Sequence, residues 1–172
     1  MNFSEIKEKI ESSKIFNDFK NQHPGAELCA GFFILDLMSN DNKRTLDYML
    51  ENKVFTFSIN DNNEITLQED KIIDLPDRPR LTKLQNLEKI RLETHELKEL
   101  SEIEAKNQNI NSQFNKIIAV LQNHEENNDN RLVWNLTCML DGLTILHILI
   151  DAETKQIIKF EKRNVIDLIK KK

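Results

Sequence analysis

The sequence predicts an α+β fold: two helix-plus-three-strand antiparallel units, pseudo-duplicated and joined by a long charged helical segment. Three observations predict it. A helix-spaced amphipathic stretch opens the chain and leads into alternating apolar stretches separated by Asn- and Asp-rich turns. A Leu-, Glu- and Lys-rich middle without Pro or Gly, from Leu81 to Leu121, divides these from a second alternating set. Short matching segments also recur in the two halves. The boundaries follow as 1–75 for the first unit, 76–106 for the helical connector and 107–172 for the second unit.

Residues 3–22 place Phe3, Ile6, Ile10, Ile15, Phe16 and Phe19 mostly three to five apart, which predicts one amphipathic helix. His23-Pro24-Gly25 ends it, because proline disfavours helix at the residue before it. The nearly continuous apolar run 26–37 predicts a strand with both faces partly covered. A turn over Ser39–Asn42, a second strand within 45–59 and a hairpin through Asn60–Asn63 to a third strand at Glu64–Leu67 complete the first unit. Pro76 and Pro79 stop the sheet. Residues 81–121 then predict helix, with Asn107–Ser112 as a break into two.

After the turn Asn127–Asn130, two strands flank Asp141-Gly142, a hairpin pair in which positive φ costs little. A third strand is predicted near Gln156–Phe160. A short helix over Asn164–Lys170, with Val165, Ile166 and Ile169 on one face, closes the chain.

The repeat rests on two alignments. Lys14–Asn21 matches Lys116–Asn123 in its apolar positions, its first lysine and its last asparagine. Ile65-Thr66-Leu67 aligns with Ile158-Lys159-Phe160, and at the same offset Ile73-Asp74-Leu75 aligns with Ile166-Asp167-Leu168. The helical pairing has the larger offset, so the second copy needs shorter connections. Duplication is the preferred explanation, and chance likeness between amphipathic patterns is its rival.

Within the second copy, Trp134, Asp141-Gly142, Leu146–Asp151 and Lys155–Ile158 together resemble the PepSY-type, cystatin-like unit. There a helix precedes strands ending in an Ile-Asp, turn, aliphatic pattern. The resemblance covers about Phe114 to Glu161, and the first copy follows it only loosely. Thr154-Lys155 stands where that family usually carries Thr-Gly. The resemblance implies a binding or inhibitory module, in a family whose members are typically exported or membrane-attached. The order of helices and strands is also similar to that of the acidic, dimeric secretion chaperones, a likeness at fold level without a shared motif.

The net charge is −5, and 24 Lys and Arg are scattered among 29 Asp and Glu, so no phosphate-tracking surface and no nucleic-acid partner are expected. The basic run Lys170–Lys172, with Lys162 and Arg163 nearby, reads as a solvated end. Met1–Lys7 carries Glu5 and helical periodicity instead of a leader's apolar stretch, and no apolar run approaches the roughly 20 residues that span a bilayer. A cytoplasmic protein without membrane insertion is expected.

Cys29 and Cys138 read as small buried hydrophobes, with a single bridge between them as the lesser alternative. Gly25, Gly31 and Gly142 are the only glycines, too few for a phosphate-cradling loop. His124-Glu125-Glu126-Asn127 lacks the second histidine of a zinc-protease helix. No catalytic residue, cofactor or metal ligand set is expected, and the chain reads as a non-enzyme. His23 and His124 both follow the repeated helical segment and read as helix-end caps. His95 lies in the helical middle, and His147 reads as pointing away from the packed face of a strand.

What the sequence does supply is apolar surface. Leu84, Leu87, Leu97, Leu100 and Ile103 form a stripe that either covers the sheet or docks another chain, and this is the candidate partner surface. Phe33, Phe55, Phe57 and Trp134 are candidate walls of a pocket between helix and sheet, or equally a solid core. The expected function is a non-enzymatic protein-binding or regulatory module, with self-association into a homodimer included. The alternative is a chaperone-like protein or small-ligand carrier using the helix–sheet pocket.

Overall fold

The structure, a computed structural model, describes residues 1–71, 81–126 and 129–165. Asn2 opens helix α1 (Phe3–Glu11) with a reciprocal cap: its side chain accepts the Glu5 N–H, and the Glu5 carboxylate accepts the Asn2 N–H. The single helix expected over residues 3–22 is two. Ser12 ends α1, and the Ser13 hydroxyl accepts the Phe16 N–H to start α2 (Lys14–Gln22). Adjacent serines offer the backbone these alternative bonds, so the chain turns there. His23 caps α2, and Lys20 Nζ donates to the Pro24 and Ala26 carbonyls just beyond.

Four strands follow, not three: β1 (Glu27–Asp36), β2 (Lys43–Leu50), β3 (Lys53–Ile59) and β4 (Ile65–Lys71). The stretch 45–59 divides at Glu51-Asn52, where Glu51 takes a left-handed φ of 55° and the chain reverses. The long helical connector is also corrected. Residues 81–93 are irregular apart from a 3₁₀ turn at Leu87–Lys89, and helix α3 occupies only Thr94–Asn107. The irregular segment is tied to the sheet by its backbone: Leu84 N–H donates to Leu28 O, and the Arg91 and Leu92 N–H groups both donate to Ala152 O. Such bonds replace the ladder a helix would have supplied.

Asn107–Ser112 does end a helix, but a strand follows. Lys116–Asn123, aligned with helical Lys14–Asn21 in the sequence, lies in β5 (Phe114–Glu126). Strands β6 (Asp129–Leu140), β7 (Thr144–Asp151) and β8 (Ile157–Asn164) complete a second four-stranded meander. Gly142 takes φ 78° at the β6–β7 turn, and Leu143 beside it takes φ 59°. Asn164, expected to open a helix, ends β8, and most of that expected helix lies outside the described residues.

The strands form one eight-stranded antiparallel sheet in the order β4-β3-β2-β1-β5-β6-β7-β8. Each meander is preceded by helix, and the two meet where β1 pairs with β5, Phe33 opposite Ala119. All three helices contribute to one core against one face of the sheet. Phe33 and Trp134 meet at 5.6 Å between ring centroids, and Trp134 Nε1 donates to Leu92 O at 2.8 Å. Tyr48 anchors α1 by donating its hydroxyl to Glu11 at 2.9 Å.

Candidate functional site

Strand alternation assigns every second residue to the face the helices leave uncovered. Across the middle of that face, cross-strand pairing sets Thr45, Phe32, Val120, Asn135, Leu149 and Lys159 in one row. A neighbouring row holds Ile34, Ile118, Thr137, His147 and Glu161. All but Lys159 are half-buried although, among the described residues, no helix lies over them.

Over β5–β8 this face forms a cavity of about 700 Å³. Its floor is Asn135, His147 and Leu149; Gln122, Asn123 and His124 of β5 stand on one side and Lys159, Glu161 and Arg163 of β8 on the other. The connector supplies the rim: Asn123 Nδ2 donates to Thr82 Oγ1 at 3.0 Å and also to the Lys83 carbonyl.

The chemistry of the β8 wall is a three-charge ladder. The Glu161 carboxylate lies 3.3 Å from Lys159 Nζ and 3.3 Å from an Arg163 guanidinium nitrogen. Hydrogen bonding and charge from Lys159, with Arg163 adding to them, hold the Glu161 carboxyl below its ordinary range. Burial, and then the Arg163 charge, push His147 below its ordinary value of 6.5, so it is a neutral imidazole at pH 7. The cavity thus gathers two cations, one carboxylate, neutral amides and two histidines around the apolar Leu149. Among the described residues no group of three or more His, Cys, Asp or Glu is placed to hold a metal ion.

The sites expected from sequence are placed differently. Leu84 and Leu97 are 4% and 0% exposed, and Leu87 and Leu100 pack half-buried against the core. Ile103, 49% exposed, is the one member of the stripe on the surface, and the others pack toward the core. Phe33, Phe55, Phe57 and Trp134 are all 2% exposed or less and line neither this cavity nor the smaller one at the β7–β8 turn. Phe16 packs 5.3 Å from Phe57 and Phe19 4.9 Å from Phe55, which fills the space between helix and sheet.

His124 lies in a strand, so it does not share a helix-end position with His23, whose ring packs on Phe19 and Phe55. Cys29 and Cys138 are free, and burial pushes both thiols up to about 12. Strand β5 lies between their strands, so at about 4.8 Å per strand their Cα atoms are beyond bridging distance. Asn135, Gln122, Lys159 and Glu161 are not singled out as site residues by the sequence, and Arg163, expected at a solvated end, lines the cavity. Period-two alternation marks them as outward, but only the β5–β8 register brings them together.

A second cavity, about 310 Å³, lies at the β7–β8 turn. Asp151 accepts the Glu153 and Thr154 N–H groups there and pairs with Arg131 at 3.3 Å.

No protein-family profile matches this chain, and no curated protein does. A solved structure of a protein described as a "putative lipoprotein" from Clostridium difficile 630 is similar in fold: 17% identity, TM-score 0.55, with 87% of this chain and 90% of that one covered. At that identity the likeness extends to the fold alone. Among the described residues no helix is long and apolar enough to cross a membrane.

Proposed function

We propose that this protein is a non-enzymatic binding module that takes a protein partner on the uncovered face of its sheet. The observation that carries the proposal is the composition of that face. Phe32, Ile34, Ile118, Val120 and Ile145 form its half-buried apolar centre, which Leu149 continues into the polar cavity over β5–β8. Apolar surface with a polar margin is the anatomy of a protein interface. The binding role implied by the PepSY-like resemblance belongs to the same class. A ligand pocket between helix and sheet finds no support, because aromatic side chains fill that space.

We also infer that the two meanders descend from one unit. The β3–β4 and β7–β8 turns support this. Asn60 accepts the Asn62 and Glu64 N–H groups and Asn63 takes φ 61°; Asp151 accepts the Glu153 and Thr154 N–H groups and Lys155 takes φ 65°. The aligned segments Ile65–Leu67 and Ile158–Phe160 fall in β4 and β8, the last strand of each meander.

The test is affinity capture of tagged protein from its own organism beside the folded variants Ile118→Glu and Leu149→Glu, followed by reconstitution from purified components. Equilibrium sedimentation covers self-association. One stoichiometric partner, or a dimer, that is lost in both variants while circular dichroism stays native is the expected result. A partner retained by both variants places binding elsewhere and overturns the proposal. Leu84 and Leu97 are unsuitable controls, since Asp at either would bury a charge in the core.

A further inference from the structure

We infer that the protein partner of the uncovered face is a second copy of this chain, packed sheet to sheet about a two-fold axis that runs along the β1–β5 seam. This rests on the uncovered face being the binding surface. The seam divides the sheet into four strands on either side. Its outward residues are apolar and paired across it, Phe32 with Val120 and Ile34 with Ile118. A two-fold axis along the seam exchanges β1 with β5, so Phe32 of each copy lies over Val120 of the other and Ile34 over Ile118. The apolar centre is thereby complementary to itself.

Charge is laid out in opposite senses on the two sides of the same line. On the β4 side, register and alternation turn outward two acids, Asp47 and Asp70, and one base, Lys43. On the β8 side the edge strand turns outward two bases, Lys159 and Arg163, and one acid, Glu161. Lys43 and Glu161, the minority charge of each side, share one row of the ladder with Ile34, Ile118, Thr137 and His147. Other outward charges cancel in pairs: Asp36 with Lys116 at 3.7 Å, Glu27 with Lys83 at 3.7 Å and Arg131 with Asp151 at 3.3 Å. Among the described side chains the face therefore runs from an acidic side through an apolar centre to a basic side, and the two-fold rotation sets each side on its opposite.

Asp47 shows what the acidic side gains. It accepts the Thr56 hydroxyl at 2.7 Å, while burial, and then the charge of Asp70, push its carboxyl above the ordinary value. Size is also sufficient. Eight strands about 4.8 Å apart, each about 20 Å long, offer about 750 Å² to a flat partner. Two copies bury about twice that, within the range of about 1,200–2,000 Å² for stable interfaces. An axis along the strands keeps the two sheets aligned, a common packing of two antiparallel layers. It also lays β2 and β3 of one copy, with Met49 and Val54 half-buried on their outward side, over the cavity of the other.

The test is sedimentation equilibrium of the intact protein over about 1–100 μM, beside three variants: Ile118→Glu at the centre, Gln68→Lys with Asp70→Lys on β4, and Lys159→Glu with Arg163→Glu on β8. The substituted β4 and β8 residues are exposed, and circular dichroism checks that every variant folds. The parent should be a dimer. Ile118→Glu should be a monomer, because the axis brings two glutamates together. Each charge variant alone should dimerise about tenfold or more weakly, since both sides of its face then carry one sign. Mixing the two charge variants should restore a dimer of one copy of each.

A parent that stays monomeric, while a different captured protein is lost in Ile118→Glu, would overturn the second-copy inference and leave the binding-face reading intact. A dimer indifferent to Ile118→Glu would place self-association on another surface and overturn the inference. A dimer lost in Ile118→Glu but unchanged in both charge variants, with no preference for the mixed pair, would overturn the two-fold arrangement that sets acid on base.

Discussion

His147 pairs across strands with Thr137 on one side and Glu161 on the other, within the cavity that Lys159 and Arg163 edge. Burial and the Arg163 charge outweigh the attraction of Glu161, so its native pKa is lowered from 6.5 while the unfolded chain keeps about that value. The unfolded state then binds the proton more readily. Stability is unaffected by this group well above pH 6.5 and falls as pH drops through 6.5 toward the lowered native value. His147→Gln should flatten the stability curve between about pH 7 and pH 5, read by urea denaturation across that range. Glu69, Glu96 and Glu161, whose carboxyls are lowered from 4.5, act with the opposite origin and in a lower window, so the two effects separate. The outward orientation of His147 was legible from strand alternation alone. Its neighbours across β6 and β8 were not, because pairing register is a property of strands meeting, not of one strand's sequence.

At the scale of elements, the leucine spacing of the middle segment predicts helix over residues 81–121 with a break at Asn107–Ser112, yet only Thr94–Asn107 is α-helical. Leu84 and Leu87 sit at helix-compatible spacing but reach the core from an irregular chain whose N–H groups bond to the sheet. Apolar spacing reports which side chains are buried, and backbone bonding decides the conformation that buries them. Strand β5 shows the same ambiguity: Ile117, Ile118, Val120 and Leu121 satisfy both helical and strand periods, and β-branched residues tip the balance to strand. The placement of α3 gives a prediction. Leu97→Ala, at a site with 0% exposure, should cost about 2–5 kcal/mol. Ile103→Ala, six residues along the same helix and 49% exposed, should change stability by no more than about 0.5 kcal/mol. Chemical denaturation of both variants measures the contrast, and equal losses would mean that α3 is rotated from its described seat.

For the whole molecule, the two units expected from the sequence share one sheet and one core, and β1–β5 pairing joins them. Gly31 lies at that seam, opposite Leu121, where an added Cβ would stand 3.0 Å from the Phe33 ring and 3.3 Å from the ring of Phe3 on α1. Helix α1, the first meander and the second meander therefore converge on a residue without a side chain. Gly31→Val should overpack this junction and cost about 1–3 kcal/mol. If the seam makes the fold cooperative, the loss will lower the transition of the second meander as much as that of the first. Trp134, the single tryptophan, reports the second meander and its contact with Phe33 of the first, whereas far-ultraviolet circular dichroism reports the whole chain. The two probes should give coincident unfolding midpoints in the parent protein and shift together in Gly31→Val. Separate midpoints, with the tryptophan transition unmoved by the substitution, would mean that the meanders unfold as independent domains despite their shared sheet.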